Sequence, residues 1–170
     1  MIAVGLAVVF VAWLLLRGGE NKPAATRAPA TAMNLTQLRA FAASAGHPVY
    51  WAGPRPSGAP AKGLAYEVSQ TRDRSIYIRY LPPGVAAGSN RLFLTVGTYV
   101  NGRARATVRQ ALARPGATRA RGPGRETAVV NASRPHSVYF AAPDGRFLIE
   151  VYDPNAARAR SLASTVGPIR

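Results

Sequence analysis

The sequence predicts an α+β domain with a mainly antiparallel sheet of about 6–7 strands and about three packed helices, behind an N-terminal transmembrane helix. Three observations predict this class. The first 16 residues carry no charged side chain. Beyond residue 33, period-two runs indicate strands, and three amphipathic stretches indicate helices. Strands that come in runs between helices favour an antiparallel sheet over alternating parallel units.

The first segment, residues 1–17, is predicted to be a transmembrane anchor. It reads MIAVGLAVVFVAWLLL and ends at Arg17. About 16 helical residues span roughly 24 Å, and Arg17 can reach the membrane interface to absorb the mismatch. A cleaved signal peptide and a buried core helix are the alternatives. The charged leader and the small-residue cleavage site of a signal peptide are not evident here.

Two features of the sequence bear on the side of the membrane on which the domain lies. Arg17, Lys22 and Arg27 follow the apolar segment, and the positive-inside rule taken alone would keep the domain in the cytoplasm. Residues 18–33, however, form an Ala/Pro/Thr-rich tether of the composition common in exported stalks. We expect a single-pass protein of the cell membrane whose domain, residues 34–170, is extracytoplasmic, with the cytoplasmic placement as the alternative.

The first half of the domain begins with a helix and continues as strands. Asn34 is a good N-cap with Gln37 three residues later, and Gly46 supplies a stop. A hairpin turn is predicted at residues 72–74, and Gly97 is predicted to mark a bulge or a close approach of another group. The strands are predicted over residues 49–52, 64–71, 75–81 and 92–100.

The second half repeats this pattern of helix followed by strands. Asn101 is predicted to cap a helix that reaches about residue 113, and residues 118–125 are predicted to form a basic loop. Asp153 and Pro154 are predicted as the N-cap and first residue of a last helix that Gly167 ends. Strands are predicted over residues 127–131, 138–141 and 147–152, with a tight turn at residues 143–145.

One segment of the chain occurs twice in similar form. HPVYWAGP at residues 47–54 and HSVYFAAP at residues 136–143 share five residues at the same offsets, and LAYEV at 64–68 parallels FLIEV at 147–151. Each copy reads as a strand, a turn and a second strand. The sequence therefore predicts a duplicated hairpin within one sheet, formed by residues 47–68 and 136–151.

The repeat places two histidines in equivalent positions, His47 and His136. Because each precedes a strand, we expect each to bond a backbone carbonyl at the sheet edge. Metal ligation, general-base chemistry and pH sensing are the alternatives. No further ligand-type residues and no nucleophile grouping lie near either histidine in the sequence, so neither a metal site nor a catalytic site is predicted.

The repeat also aligns Glu67 with Glu150. We expect each glutamate to face water or to pair with a cross-strand arginine such as Arg79 or Arg146. The alternative is that the two carboxylates form the acid and base of a hydrolase acting on envelope polymers.

The chain is strongly basic, with 22 basic residues against 7 acidic ones and a net charge of +15. Residues 103–125 contain seven arginines and no acidic residue, which favours anionic partners such as lipid headgroups, wall polymers or nucleic acid. No aromatic residue occurs in that interval, so nucleic acid is the less favoured partner. The candidate anion-binding residues are Arg103, Arg105, Arg109, Arg114, Arg119, Arg121 and Arg125.

Four stretches of the chain are similar to a group of uncharacterised single-pass membrane proteins of high-GC Gram-positive bacteria. They are residues 47–54, 78–85 (IRYLPPGV), 94–99 (LTVGTY) and 149–154 (IEVYDP), and the similarity extends over about residues 34–169. The resemblance implies an anchor, a variable tether and an exported domain. It implies no activity and no site residue.

These observations predict a membrane-anchored, extracytoplasmic domain that binds a protein or an anionic envelope component and is not an enzyme. No cysteine is present, so thiol catalysis and cysteine-ligated metals are excluded. No cofactor is expected. The alternatives are the hydrolase that uses Glu67 and Glu150, and a membrane-tethered cytoplasmic nucleic-acid binder.

Overall fold

A computed structural model describes residues 30–59 and 63–170 of the chain. The predicted anchor, residues 1–17, and most of the predicted tether lie outside the described residues. The predicted α+β class is confirmed, because the described residues form three helices and an antiparallel sheet of eight strands. The helices are α1 (Leu35–Ser44), α2 (Ala104–Leu112) and α3 (Ala156–Ala163). Among the residues described, no helix is both long and apolar enough to cross a bilayer.

The strands form one large sheet and one small one. The large sheet has the order β1-β3-β4-β5-β9-β8-β7-β6, and every neighbouring pair is antiparallel. In the small sheet, β2 pairs with β10. The strands are β1 (Thr31–Met33), β2 (Tyr50–Trp51), β3 (Ala65–Gln70), β4 (Ile76–Leu81), β5 (Thr95–Val100), β6 (Ala117–Arg121), β7 (Thr127–Asn131), β8 (Arg134–Ala141), β9 (Phe147–Tyr152) and β10 (Gly167–Pro168).

The two faces of the large sheet carry different cores. On the first face, Leu38 of α1 and Leu162 of α3 belong to the larger buried cluster, together with sheet residues such as Phe140 and Ile149. On the second face, α2 packs its buried side on β6, β7, β8 and β9, and Tyr99 of β5 belongs to the same smaller cluster. Because side chains alternate along a strand, β5, β7, β8 and β9 supply both clusters, and the middle of the sheet is covered on both sides.

Helix capping follows the sequence closely at α1. Asn34 accepts a hydrogen bond from the Gln37 amide and Gln37 returns one to the Asn34 amide, both at 2.9 Å, so the predicted capping box is confirmed. At α3 the predicted cap at Asp153 is wrong, because Asn155 caps the helix and accepts from the Arg158 amide. Asp153 is instead fully buried and holds the segment before the helix.

Three segments that the sequence does not predict as strands complete the two sheets. They are Thr31–Met33, Ala117–Arg121 and Gly167–Pro168. Thr31–Met33 was expected to be tether, yet it pairs with Tyr66–Val68 as β1 and so covers the outer edge of β3. Part of the expected basic loop, Ala117–Arg121, is the edge strand β6 on β7. Short or charged strands are typical of sheet edges, and such strands carry little hydrophobic patterning.

The predicted duplication of a hairpin within one sheet is wrong for its first copy. The second copy forms the β8–β9 hairpin, whose turn places Gly145 at φ +71°. In the first copy, β2 pairs with β10 in the small sheet, whereas β3 pairs with β1 and β4. The connection in the second copy is a tight turn, which forces its strands together. The longer connection in the first copy imposes no such pairing.

Strand β9 lies near the centre of the sheet, so its core side chains should dominate stability. Ile149 has no exposed surface. We expect Ile149→Ala to lower the free energy of unfolding by about 2–5 kcal/mol, because it removes buried methyl groups and leaves a cavity.

Urea unfolding of the full-length chain in nonionic detergent measures this change. Val100→Ala is the matched control, because Val100 of β5 is 46 % exposed and opposes Phe147 on the same β5–β9 ladder. A loss at Ile149 no larger than the loss at Val100 would contradict the central position of β9.

Candidate anion-binding surface

Helix α2 and the β6–β7 hairpin carry most of the arginines of residues 103–125. The buried side of α2 consists of Ala104, Thr107, Val108 and Ala111. This spacing turns Arg105 and Arg109, one helical turn apart, toward solvent, and both are exposed. They therefore form a basic row about 6 Å long on the outer side of the helix.

Strand β6 adds a second basic row on the same side of the sheet. Arg119 opposes Val129, which packs in the cluster beneath α2, and Arg121 lies two residues further along β6. Residues two apart on a strand share a face and lie about 6.8 Å apart. Arg119 donates to the Thr127 hydroxyl oxygen at 3.2 Å, which holds its guanidinium along the hairpin.

Arg105 and Arg109 of α2 thus lie on the same side of the sheet as Arg119 and Arg121 of β6, whereas Arg103 and Arg114 flank the helix and Arg125 lies in the β6–β7 turn. We call the seven predicted anion-binding residues the arginine surface: Arg103, Arg105, Arg109, Arg114, Arg119, Arg121 and Arg125. Arg114 is half-buried and the other six are exposed. Glu126 lies beside Arg125 in the β6–β7 turn. A second carboxylate, that of the exposed Asp144, lies in the β8–β9 turn that Arg105 contacts, so the surface is mainly basic with a carboxylate near each of two turns.

The arginine surface is not neutralised by acidic side chains. In residues 30–59 and 63–170, salt bridges join Glu67 to Arg79 and Asp153 to Arg158, and none includes a member of the arginine surface. Arg105 donates to the backbone carbonyl of Pro143, an uncharged acceptor. These guanidinium groups therefore keep their charge and most of their donors directed to solvent, which is what an anionic ligand requires.

Glu67 takes the predicted role of a paired carboxylate. Its Oε1 accepts from Arg79 at 2.7 Å and its Oε2 accepts from the Gly88 amide at 2.9 Å. Arg79 also donates to the carbonyls of Ser89 and Arg91. This buried ion pair therefore holds the segment that connects β4 to β5 against the second face of the sheet.

Glu150 has a different environment from the one predicted. Within the described part of the chain it forms no salt bridge with an arginine and instead accepts hydrogen bonds from three hydroxyls, those of Tyr99, Ser137 and Tyr139. The Ser137 and Tyr139 bonds, both to Oε1, measure 2.8 Å. Burial, followed by the negative charge of Glu150, raises the pKa of both tyrosines well above the usual 10. The tyrosines therefore stay protonated as donors to the carboxylate.

Gly97 makes room for this cluster. It lies opposite Glu150 on β5, and a Cβ atom at Gly97 would come within 3.0–3.2 Å of the Tyr99 ring and its hydroxyl oxygen. The Tyr99 side chain can therefore lie across Gly97 and reach Glu150. No register shift occurs at Gly97, so of the two roles predicted for it, a bulge or a close approach, the structure shows the close approach.

The two glutamates do not form the carboxylate pair of a glycoside hydrolase. Glu67 is on β3 and Glu150 is on β9, three strand positions away in the sheet order. Three strand spacings correspond to about 14 Å, whereas such pairs lie about 5–9.5 Å apart. Glu67 is in addition only 2 % exposed.

The two histidines also lie apart. His47 has one ring nitrogen 3.0 Å from the Arg74 carbonyl, as predicted, and stacks on Phe147 at the start of β9 with ring centroids 5.3 Å apart. His136 lies beside Tyr152 at the opposite end of β9, with ring centroids 6.4 Å apart. The part of the chain that is described holds no group of three or more His, Asp or Glu side chains that could bind a metal ion.

Comparisons with known proteins add no relative. No protein-family model, no curated protein and no solved structure matches the chain.

The protonated tyrosines at Glu150 predict a loss of stability in base. Below pH 10 these hydroxyls carry their protons in both the folded and the unfolded chain. Above about pH 10 the unfolded chain releases them and the folded chain does not, so the free energy of unfolding falls by up to about 1.4 kcal/mol per pH unit for each such group.

Urea unfolding of the full-length chain between about pH 9 and 11.5 measures this fall around the ordinary tyrosine pKa. The variant Tyr139→Phe is expected to be less stable at neutral pH but to show a shallower decline in base. An unchanged slope would mean that Tyr139 ionises in the folded protein as it does in the unfolded chain.

Proposed function

We propose that the chain is a membrane-anchored, extracytoplasmic domain that binds an anionic envelope component through the arginine surface and has no enzymatic activity. The observation that carries this proposal is the row of exposed arginines on α2 and β6, none of which forms a salt bridge within the described residues. The apolar segment of residues 1–16 supports the anchor.

The backbone positions of the arginines favour an extended polyanion over a single small anion. The two arginines of α2 and the two of β6 are each about 6–7 Å apart along the backbone, and a linear polymer with phosphate groups at regular intervals can meet several arginines at once. Such binding depends on released counterions and therefore weakens steeply with salt.

Nucleic acid fits the same charges less well. Residues 103–125 contain no aromatic side chain on which bases could stack. A polymer recognised through its phosphates alone needs no such side chain. The proposal therefore names a phosphate-bearing envelope polymer as the ligand class.

The test compares two double variants of the full-length chain in nonionic detergent, with fluorescent long-chain inorganic polyphosphate as the probe. Arg119→Glu with Arg121→Glu reverses two charges of the arginine surface. Arg39→Glu with Arg72→Glu reverses two exposed charges elsewhere. We expect the first pair to weaken binding by about tenfold or more and the second pair by less than about threefold.

Anisotropy titrations between about 50 and 300 mM salt measure both affinity and its salt dependence. The first pair should also show a smaller slope of affinity against salt, since fewer counterions are released. Equal losses of affinity in the two double variants would show that binding depends only on net charge, and this result would overturn the proposal. Tighter binding of a single-stranded DNA of equal charge would favour the nucleic-acid alternative.

A further inference from the structure

A small cavity lies on the opposite side of the molecule from the arginine surface, at the start of α3. Its volume is about 110 Å³, which is the liquid volume of about three to four water molecules. The walls come from the 56–59 loop, the ends of β3 and β4, the segment before β5 and the start of α3. The apolar lining consists of Pro56, Ala59, Leu64, Tyr80, Pro82, Leu92, Phe93, Leu94 and Pro154.

Among the described residues of this lining, Arg158 supplies the cationic group, its guanidinium. Its Nε donates to Asp153 Oδ2 at 2.7 Å, and Asp153 is fully buried. The guanidinium is therefore fixed at one edge by a buried carboxylate. Within the described residues, neither Nη1 nor Nη2 donates a hydrogen bond to another group, so two donors at the cavity are available for a ligand.

Gly58 makes the position of this guanidinium possible. A Cβ atom at Gly58 would lie 2.9 Å from Arg158 Nη1, and the glycine has φ +78°, which other residues rarely adopt. The loop thus approaches the guanidinium as closely as a backbone without a side chain permits. The Nη1 edge of the guanidinium therefore lies against the 56–59 loop, beside the apolar cavity.

The mouth of the cavity carries an exposed apolar side chain. Leu92 is 68 % exposed, more than any other large apolar residue among those described. Exposed apolar surface next to a cavity is a common feature of ligand sites. A ligand with both an apolar part and a negative charge would cover Leu92 and reach Arg158.

We propose that this cavity binds the free carboxyl terminus of a peptide whose last side chain is small and apolar, such as alanine or valine. The carboxylate accepts hydrogen bonds from Nη1 and Nη2 of Arg158, a charge-assisted fork that a planar guanidinium is suited to form. The side chain enters the cavity of about 110 Å³, which has room for a methyl or isopropyl group. This site is independent of the arginine surface.

The first experiment uses the full-length chain in nonionic detergent and N-acetyl-alanyl-alanine as the probe, followed by ¹H–¹⁵N NMR. We expect saturable shifts of the Gly58 amide and the Arg158 Nε–H group with an affinity on the order of millimolar. The C-terminal amide of the same dipeptide is the matched ligand and should bind at least about fivefold more weakly, since it lacks the charge.

Two variants separate recognition from folding. Arg158→Lys keeps a cation beside Asp153 but loses the fork, and it should weaken the dipeptide by about fivefold or more. Arg160→Lys, an exposed change two residues along α3, should leave binding unchanged. Thermal unfolding of both variants shows whether the fold is retained.

Ala59→Leu tests the contribution of the apolar cavity to binding and leaves Arg158 unchanged. The larger side chain should fill the apolar space and weaken the dipeptide while Arg158 keeps its bond to Asp153.

Three results would overturn the proposal. Equal affinity for the acid and the amide would show that the carboxylate is not recognised. Butyrate binding as tightly as the dipeptide would show that the site takes any short apolar acid and not a peptide terminus. The absence of shifts at Gly58 and Arg158 at about 20 mM dipeptide, well above a millimolar dissociation constant, would show that the cavity does not bind this chemistry.

Discussion

The pairing of β5 with β9 is the constraint on which the rest of the structure depends. One half of the sheet, β1-β3-β4-β5, comes from residues before α2, and the other half, β9-β8-β7-β6, comes from residues after it. Six residue pairs along β5 and β9 join the halves, and on the second face the hydroxyl of Tyr99 reaches across this seam to Glu150. Without that pairing, each half would keep an uncovered edge strand at what is now the centre of the sheet.

The pairing of β5 with β9 also explains where the arginine surface lies. Helix α2 connects the two halves and packs its alanine and valine side across β7, β8 and β9. Its arginines are consequently directed outward, and the strand that follows it, β6, becomes the far edge of the sheet. An edge strand tolerates alternating arginines because one side is solvated, and the charges also discourage pairing with other chains. The arginine surface thus arises where a connecting helix meets a charged edge.

Local signals in the sequence were sufficient for much of this fold, and nonlocal pairings were not predictable from them. The capping box at Asn34 and the turn at Gly145 depend on neighbouring residues, so the pattern predicts them correctly. The β8–β9 turn also fixes Tyr139 opposite Glu150, a contact that could have been derived from the hairpin register. Tyr99 could not have been assigned to Glu150, because 51 residues separate them. The sequence does not predict the strands β1, β6 and β10, because they are short or charged. It predicts a hairpin for the first copy of the repeat that does not form, because β2 and β3 pair with other strands although their residues resemble those of β8 and β9.

The measurement that tests the account most directly is the accessibility of the domain to protease in intact cells that express the full-length chain with a carboxyl-terminal tag. The arginine surface can meet an envelope polymer only if the domain lies outside the cytoplasm. The account predicts that protease added to intact cells removes the tag, at the same concentration that digests the protein in lysed cells. Protection of the tag until lysis would place the arginines in the cytoplasm and contradict the proposed ligand.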